Sequence, residues 1–358
     1  MGKEIKRILI KIGSNVLTLS SGLPDVKRIE NLVDQVAELR KQGIQVILVS
    51  SGAVAAGRSK IGKTDSLDTI SRRQVLASIG QVELMKIYSN HFSIKDLLCA
   101  QVLVTKEDFR TRQHYLNMKN CLDALLRSNV TPIINENDVI SITELMFTDN
   151  DELSGLVAAM IDVDALVILT NVDGIFTGNP DDKDSKLIRE YNAKEINLED
   201  YIVNTKSNFG RGGMSAKANT AVKISKLGID VYIGNGSKDA IVENLLNQKT
   251  GTHFPSGDRD TSELKKWVAQ SGSFSKGYIT INEGAKAALT SDKASSLLPI
   301  GIVSISGDFK KGDVISIQDE KGAPIALGMV KYDSEKAKEY IGMKGSPVLV
   351  HYNYLFLS

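Results

Sequence analysis

Six carboxylates crowd the stretch from Asn135 to Met160, NENDVISITELMFTDNDELSGLVAAM: Glu136, Asp138, Glu144, Asp149, Asp151 and Glu152. Buried without partners, charges at that density are very costly. The stretch is therefore either an exposed acidic loop or a polar rim at the carboxyl end of a sheet, where open α/β folds bind ligands. A rim needs cations, and the chain has lysines beside glycines at two distant places, Lys11 in KIGSN and Lys217 in GRGGMSAK. Two such lysines could grip a moving phosphoryl from opposite halves of a sheet, with a carboxylate between them to orient both ammonium groups. Positioning and charge stabilisation are most of what phosphoryl transfer asks of a protein. Only four histidines exist, and none pairs visibly with a serine or cysteine nucleophile. Direct transfer is favoured over a covalent enzyme intermediate.

The elements that must position these groups follow the βαβ pattern of a parallel sheet. Arg7 to Ile12 (RILIKI) reads as a short buried strand turning out at GSN. Lys11 either snorkels from an edge strand or meets a phosphate at the strand end. Val26, Ile29, Leu32, Val33, Val36 and Leu39 recur at helical spacing, with Asp25 as cap and Gly43 as terminator. The strand Ile44 to Ser50 opens into SGAVAAG, where small residues serve close helix packing or backbone approach to a ligand. A helix over 71–92, a strand over 97–105, a helix over 106–129 and the strand VTPIIN lead into the acidic stretch. Beyond it come the strand 164–170, the turn Asn171 to Gly174, and a glycine loop (Gly210, Gly212, Gly213) opening a helix. That loop is either a flexible surface segment or a phosphate cradle with Lys217 one turn in. At Ser51 to Gly57 neither GxxxxGK[ST] nor GxGxxG occurs.

Composition bounds the rest. At 358 residues the chain should form about two domains. It is 42% hydrophobic and 24% charged with a formal net charge of +1, which gives no bulk attraction to nucleic acid or membrane. Cys99 and Cys121 sit in apolar stretches without metal-ligand spacing and read as buried, reduced thiols. The N-terminus reads as neither signal peptide nor membrane span, so a cytoplasmic location is expected. From Gln248 to Lys276 the chain turns rich in Gly and Ser around a lone apolar anchor, Trp267. Short strands separated by glycine turns follow it.

With these residues in view the chain resembles the glutamate 5-kinases of the amino acid kinase family, fused to a C-terminal PUA domain. The resemblance spans nearly the whole length. It rests on KIGSN at Lys11, VSSGAVAAGR at 49–58, INENDVI at 134–140, DNDELSGLVA at 149–158, LTNVDGIF at 169–176, GGMSAK at 212–217 and SSLLPIGI at 295–302. It implies a catalytic domain over 1–250 of the amino acid kinase fold, a mainly parallel open sheet sandwiched by helices. A linker over 251–276 and a small β-rich PUA barrel over 277–358 would follow. It further implies phosphorylation of the γ-carboxylate of L-glutamate by ATP with Mg²⁺, the first step towards proline. Carried over residue by residue, Lys11 and Lys217 contact the transferring phosphoryl and ATP phosphates, and Asp151 positions them. Ser51, Asp138 and Asn150 bind glutamate, with Asp149 nearby. Thr170, Asn171 and the loop Arg211, Gly212, Gly213, Met214, Ser215, Ala216 and Lys217 hold the nucleotide. Glu144 lies in the region tied to proline feedback, and no metal ligand is assigned.

The family often has aspartate where Asn171 stands and a small residue where Arg211 stands. The resemblance also implies a homo-oligomer, dimer or tetramer, whose labile acyl phosphate passes to a glutamyl phosphate reductase. PUA domains elsewhere bind RNA. From Gly277 to Ser358 there is no arginine, and lysines roughly balance acids, so a structural or regulatory role is favoured over RNA binding. The rival readings are a related kinase with another acceptor, such as N-acetylglutamate, aspartate, a nucleotide or carbamate, and an RNA-binding protein on a degenerate kinase fold.

Overall fold

A computed structural model of the chain describes residues 4–61, 66–141, 146–147, 149–180, 182, 184–192, 196, 198, 213–257, 263–291 and 295–357. They form two compact units, residues 1–108 with 116–259, and residues 109–115 with 260–358.

In the first unit the strands are β1 (Arg7–Ile12), β2 (Gln45–Val49), β3 (Leu98–Val104), β4 (Val130–Glu136), β5 (Ala165–Thr170), β6 (Asp230–Asn235) and β7 (Thr252–Phe254). They join in the order β3-β4-β2-β1-β5-β6-β7. All neighbours are parallel except β6 and β7. Strands covered on both faces read as near-continuous apolar runs, as in ALVILT and, apart from Arg7 and Lys11, RILIKI. The helices are α1 (Ser14–Leu17), α2 (Val26–Lys41), α3 (Ala53–Arg58), α4 (Thr69–Ile94), α5 (Arg112–Arg127), α6 (Asn150–Met160), α7 (Met214–Ser225) and α8 (Ile241–Leu246). The Asp25 carboxylate accepts the Arg28 N–H at the start of α2, and Asp68 accepts those of Ile70 and Ser71 at the start of α4. Ile29, Leu32, Val33 and Val36 of α2 then pack with Ile8, Ile10, Val46 and Leu48 of the sheet.

Because β1, β2, β4 and β5 run in parallel and adjoin one another, the residues that follow them emerge at one edge of the sheet. Gly13, Ser51, Asp138 and Asn171 therefore share a rim although up to 158 positions separate them in the sequence. Two glycines set the frame beside it. A Cβ on Gly80 of α4 would stand 1.7 Å from the Ala53 carbonyl oxygen, and one on Gly57 of α3 would stand 2.0 Å from that of Leu76. The pair α3 and α4 therefore cross backbone against backbone, which only residues without a side chain permit.

Three expectations are corrected. Lys11 lies on a central strand, not on an edge. The helix expected from Lys106 starts at Arg112: Asp108 accepts the Thr105 N–H at 2.7 Å in a 3₁₀ turn, and the Thr111 hydroxyl caps α5 at the His114 N–H. The two thiols are not both buried: Cys99 is half-buried and Cys121 exposed. The reason is that β3, which carries Cys99, is the edge of the sheet, so its apolar run is covered only in part. Within the stretch 251–276, β7 pairs with β6 and a helix α9 spans Glu263–Gln270.

The second unit holds α9, β8 (Gly277–Ile281), α10 (Glu283–Leu289), β9 (Ile302–Gly307), β10 (Val314–Asp319), β11 (Pro324–Met329), α11 (Ser334–Glu339) and β12 (Leu355–Leu357). Its sheet has the order β12-β11-β10-β8-β9, parallel only between β10 and β8. Ile279, Ile281, Phe309, Ile315, Ile317, Leu349 and Val350 form its core. Trp267 of α9 is buried in this unit and donates its indole N–H to the Phe109 carbonyl at 3.3 Å.

Candidate active site

Asp151 is the centre of the rim. It stands in the first turn of α6, whose N-cap is Asp149: one Asp149 oxygen accepts the N–H groups of Asp151 and Glu152, each at 2.9 Å. That cap satisfies two of the open donors at the helix start and suits its positive end. The Asp151 carboxylate is 1% exposed and bridges two lysines. Lys11 Nζ lies 2.5 Å from one oxygen and Lys217 Nζ 2.9 Å from the other. Burial alone would raise the Asp151 carboxyl, but the two ammonium groups outweigh it and hold the group below the usual carboxylate range. Asp149 goes the other way: burial first, then the charge of Asp151, push its carboxyl up. Strand β1, helix α6 and helix α7 thus deliver one charge each to a single point.

A second group of side chains extends from this point along the end of β4. The Asn150 amide donates to the Ser51 hydroxyl at 2.9 Å, to the Ser50 carbonyl at 3.1 Å and to the Asn135 side-chain oxygen at 3.2 Å. Asn135 is held in turn by Gln81 of α4 at 3.0 Å. Ser51 is followed by Gly52 at φ +100°, a conformation that favours glycine and turns the chain straight into α3. Further along, Asp138 accepts from the Arg73 guanidinium, whose Nε lies 3.0 Å away and whose Nη2 is also bonded to it. The same Nη2 reaches Glu136 at 3.5 Å. Burial raises the Glu136 carboxyl to about 7, and burial also raises that of Asp138 against the pull of Arg73.

On the opposite side, Thr170 closes β5 and donates its hydroxyl to the Asn171 side chain at 3.3 Å. Gly213 is the N-cap of α7 and brings no side-chain cap. The N–H groups of a helix's first turn point out of its N-terminal end, here towards the side that Gly213 leaves without a side chain. Arg211, Gly212 and Glu144 lie outside the described residues.

The two sides are walls of one cleft of about 1180 Å³, lined among others by Lys11, Ser51, Asp138, Asp151, Asn171 and Lys217. That lies somewhat above the roughly 300–1,000 Å³ usual for a single small-molecule site. Of the residues assigned from sequence, Lys11, Ser51, Asp138, Asp149, Asn150, Asp151, Thr170, Asn171, Gly213, Met214 and Lys217 line this one cleft; Ser215 and Ala216 follow in the first turn of α7. Sequence reasoning missed Arg73 and Gln81, which carry no motif and sit in an ordinary helical stretch. Asn135 and Glu136 were legible as part of INENDVI but received no role. Among the described residues no group of three or more His, Cys, Asp and Glu could hold a metal. No helix among them is long and apolar enough to cross a membrane.

The model of the amino acid kinase family matches residues 6–235, and that of the PUA domain matches residues 277–351. A glutamate 5-kinase of Bacteroides thetaiotaomicron is 48% identical over 360 residues, covering 100% of both chains. One of Chlorobaculum tepidum is 46% identical, covering 98% of this chain and 97% of its own. Among solved structures, carbamate kinase from Giardia lamblia bound to AMP-PNP superposes with a TM-score of 0.51 at 21% identity, covering 70% of this chain and 99% of its own. At that identity the likeness concerns the fold alone.

Proposed function

The chain belongs to the amino acid kinase family, among the glutamate 5-kinases with a C-terminal PUA domain. From that premise we propose that it transfers the γ-phosphoryl of ATP to the γ-carboxylate of L-glutamate. The observation that carries the reading is the buried Lys11–Asp151–Lys217 bridge on the wall of the cleft. A γ-carboxylate oxygen attacks the γ-phosphorus and forms the new O–P bond; the bond to the β-phosphate oxygen breaks, leaving glutamyl 5-phosphate and ADP. Both partners are anions, so the transition state needs fixed positive charge on the moving phosphoryl. Lys11 and Lys217 supply it, and Asp151 holds both ammonium groups in place before the substrates arrive. Such preorganised charge in a dry site acts more strongly than in water.

Ser51, Asn150 and Asp138 take the acceptor, with Asp149 capping the helix that presents Asn150 and Asp151. Thr170, Asn171 and the segment from Arg211 to Lys217 take the nucleotide, its phosphates facing the positive end of α7. Mg²⁺ prefers phosphate oxygens and water to a protein cage. It would travel with the nucleotide, near the Asp149 oxygen that caps nothing, and neutralise phosphate charge. The same reading includes feedback by proline through the region of Glu144, a homo-oligomer, a cytoplasmic location and a reductase that consumes the labile acyl phosphate. It assigns the C-terminal unit no RNA.

Incubation with ATP, Mg²⁺, L-glutamate and hydroxylamine should yield γ-glutamyl hydroxamate, and added proline should suppress it. N-acetylglutamate and aspartate in parallel should yield none. Product only from another acid would keep the kinase and overturn the acceptor. No product from any acid, with the protein folded and ATP bound, would overturn the kinase.

A further inference from the structure

The acceptor has two ends, and the groups assigned so far serve only one of them with cations. Five cationic side chains line the cleft: Lys11, Arg58, Arg72, Arg73 and Lys217. Lys11 and Lys217 are bound to Asp151 at the reacting end. The far end is marked by Asp138 and Glu136, reached from Asn150 through Asn135 along the end of β4. An amino-acid acceptor brings an α-ammonium and an α-carboxylate there, and burying either without a partner is costly. Arg58 and Arg72 are exposed, whereas the Arg73 side chain is only 30% exposed and is locked to both acids.

Resting on the glutamate reading, we propose that Arg73 binds the α-carboxylate of the acceptor and, with Asp138 and Glu136, forms a receptor for its zwitterionic end. A guanidinium carries five N–H donors in a fixed fork. Nε and Nη2 are engaged by the two carboxylates. Nη1 makes no hydrogen bond among the described residues, on a side chain that faces the cleft. That edge is free to donate charge-assisted bonds to a carboxylate. Asp138, buried beside that guanidinium, can also accept from an α-ammonium. The receptor thus reads both charges of a free amino acid: acylating the nitrogen removes one, and decarboxylation removes the other.

The test pairs enzyme variants with truncated acceptors, in the full chain. Arg73→Gln should raise the KM for L-glutamate about 10- to 100-fold, the worth of a charged hydrogen bond pair, with kcat and the KM for ATP within about three-fold. 4-Aminobutyrate lacks the α-carboxylate, so its inhibition constant should move less than about three-fold. Glutarate keeps both carboxylates and should weaken along with glutamate. Arg73→Lys keeps the charge without the fork and should fall between. Equal losses for glutamate and 4-aminobutyrate would mean that Arg73 merely positions Asp138, and would overturn the contact. An unchanged glutamate KM in either folded variant would overturn it as well. Absence of wild-type activity on glutamate would remove the underlying acceptor assignment too, whereas an active wild type with an indifferent Arg73 removes only this one.

Discussion

Asp151 keeps a charge at a place where 1% of its surface meets solvent, and it does so because two ammonium groups flank it. Removing one member of such a cluster has two separable consequences. Asp151→Asn removes the carboxylate between Lys11 and Lys217, so stability should fall by about 3–5 kcal/mol, as when a buried pair is broken. Turnover should fall by about 10²–10³-fold, since the lysines lose their placement. Lys217→Ala should lower kcat by a similar factor, with circular dichroism unchanged. Hydroxamate formation near the wild-type rate in either folded variant would remove the roles assigned here. At this scale the sequence was a good guide to charge and a poor one to partners. Lys11 is a lysine in an apolar run, and spacing alone left a snorkelling edge residue as plausible as a phosphate contact at the strand end. What decides is Asp151, 140 positions away, and no local pattern encodes that meeting. Arg73 is the converse case: its neighbours in sequence are ordinary helix residues, and its meaning comes from Asp138.

At the scale of elements, α3 and α4 frame the acceptor side of the cleft, carrying Gly57 and Arg73 respectively. Their crossing tolerates no added atom at Gly80, where a Cβ would meet the Ala53 carbonyl oxygen at 1.7 Å. Gly80→Ala should therefore cost about 3 kcal/mol or more through overpacking and backbone displacement. It should also raise the glutamate KM, because α4 presents Gln81 and Arg73. Gly22→Ala is the control: its φ is +80° but nothing lies within 4 Å, so only about 1–2 kcal/mol of backbone strain is expected. Denaturant midpoints for the two variants would check this, and equal losses would show that the helix crossing is not under the constraint described. The helices themselves were legible where a cap announced them, as with Asp25. The start of α5 was not, since Thr111 caps it only after Asp108 has turned the preceding segment aside.

For the molecule as a whole, every residue lining the cleft falls between Lys11 and Lys217, within the first unit. A chain ending at residue 259 should accordingly still form γ-glutamyl hydroxamate from glutamate. It should also melt at a lower temperature, because Phe109 and Tyr115 are buried in a unit whose other part, with Trp267, would be missing. A truncated chain that is folded and inactive would mean that the second unit completes the site or the assembly. That second unit has no arginine from Gly277 onward, which leaves little footprint for phosphate contacts.

The sequence by itself determined the class of chemistry and the class of fold. Apolar runs alternating with amphipathic helices permit little besides a parallel sheet, and the motifs from KIGSN to GGMSAK mark its loops. These features are local, set by periodicity, caps and small residues. The order of the strands is not local. Only the tertiary structure put β1 between β2 and β5, made β3 an edge with a half-buried Cys99, and added β7 from a stretch that reads as a linker. It alone brought Lys11 and Lys217 within 3 Å of the Asp151 carboxylate. The physical reason is that burying an ion is unfavourable for each residue taken singly and becomes acceptable only when the folded chain supplies its partner.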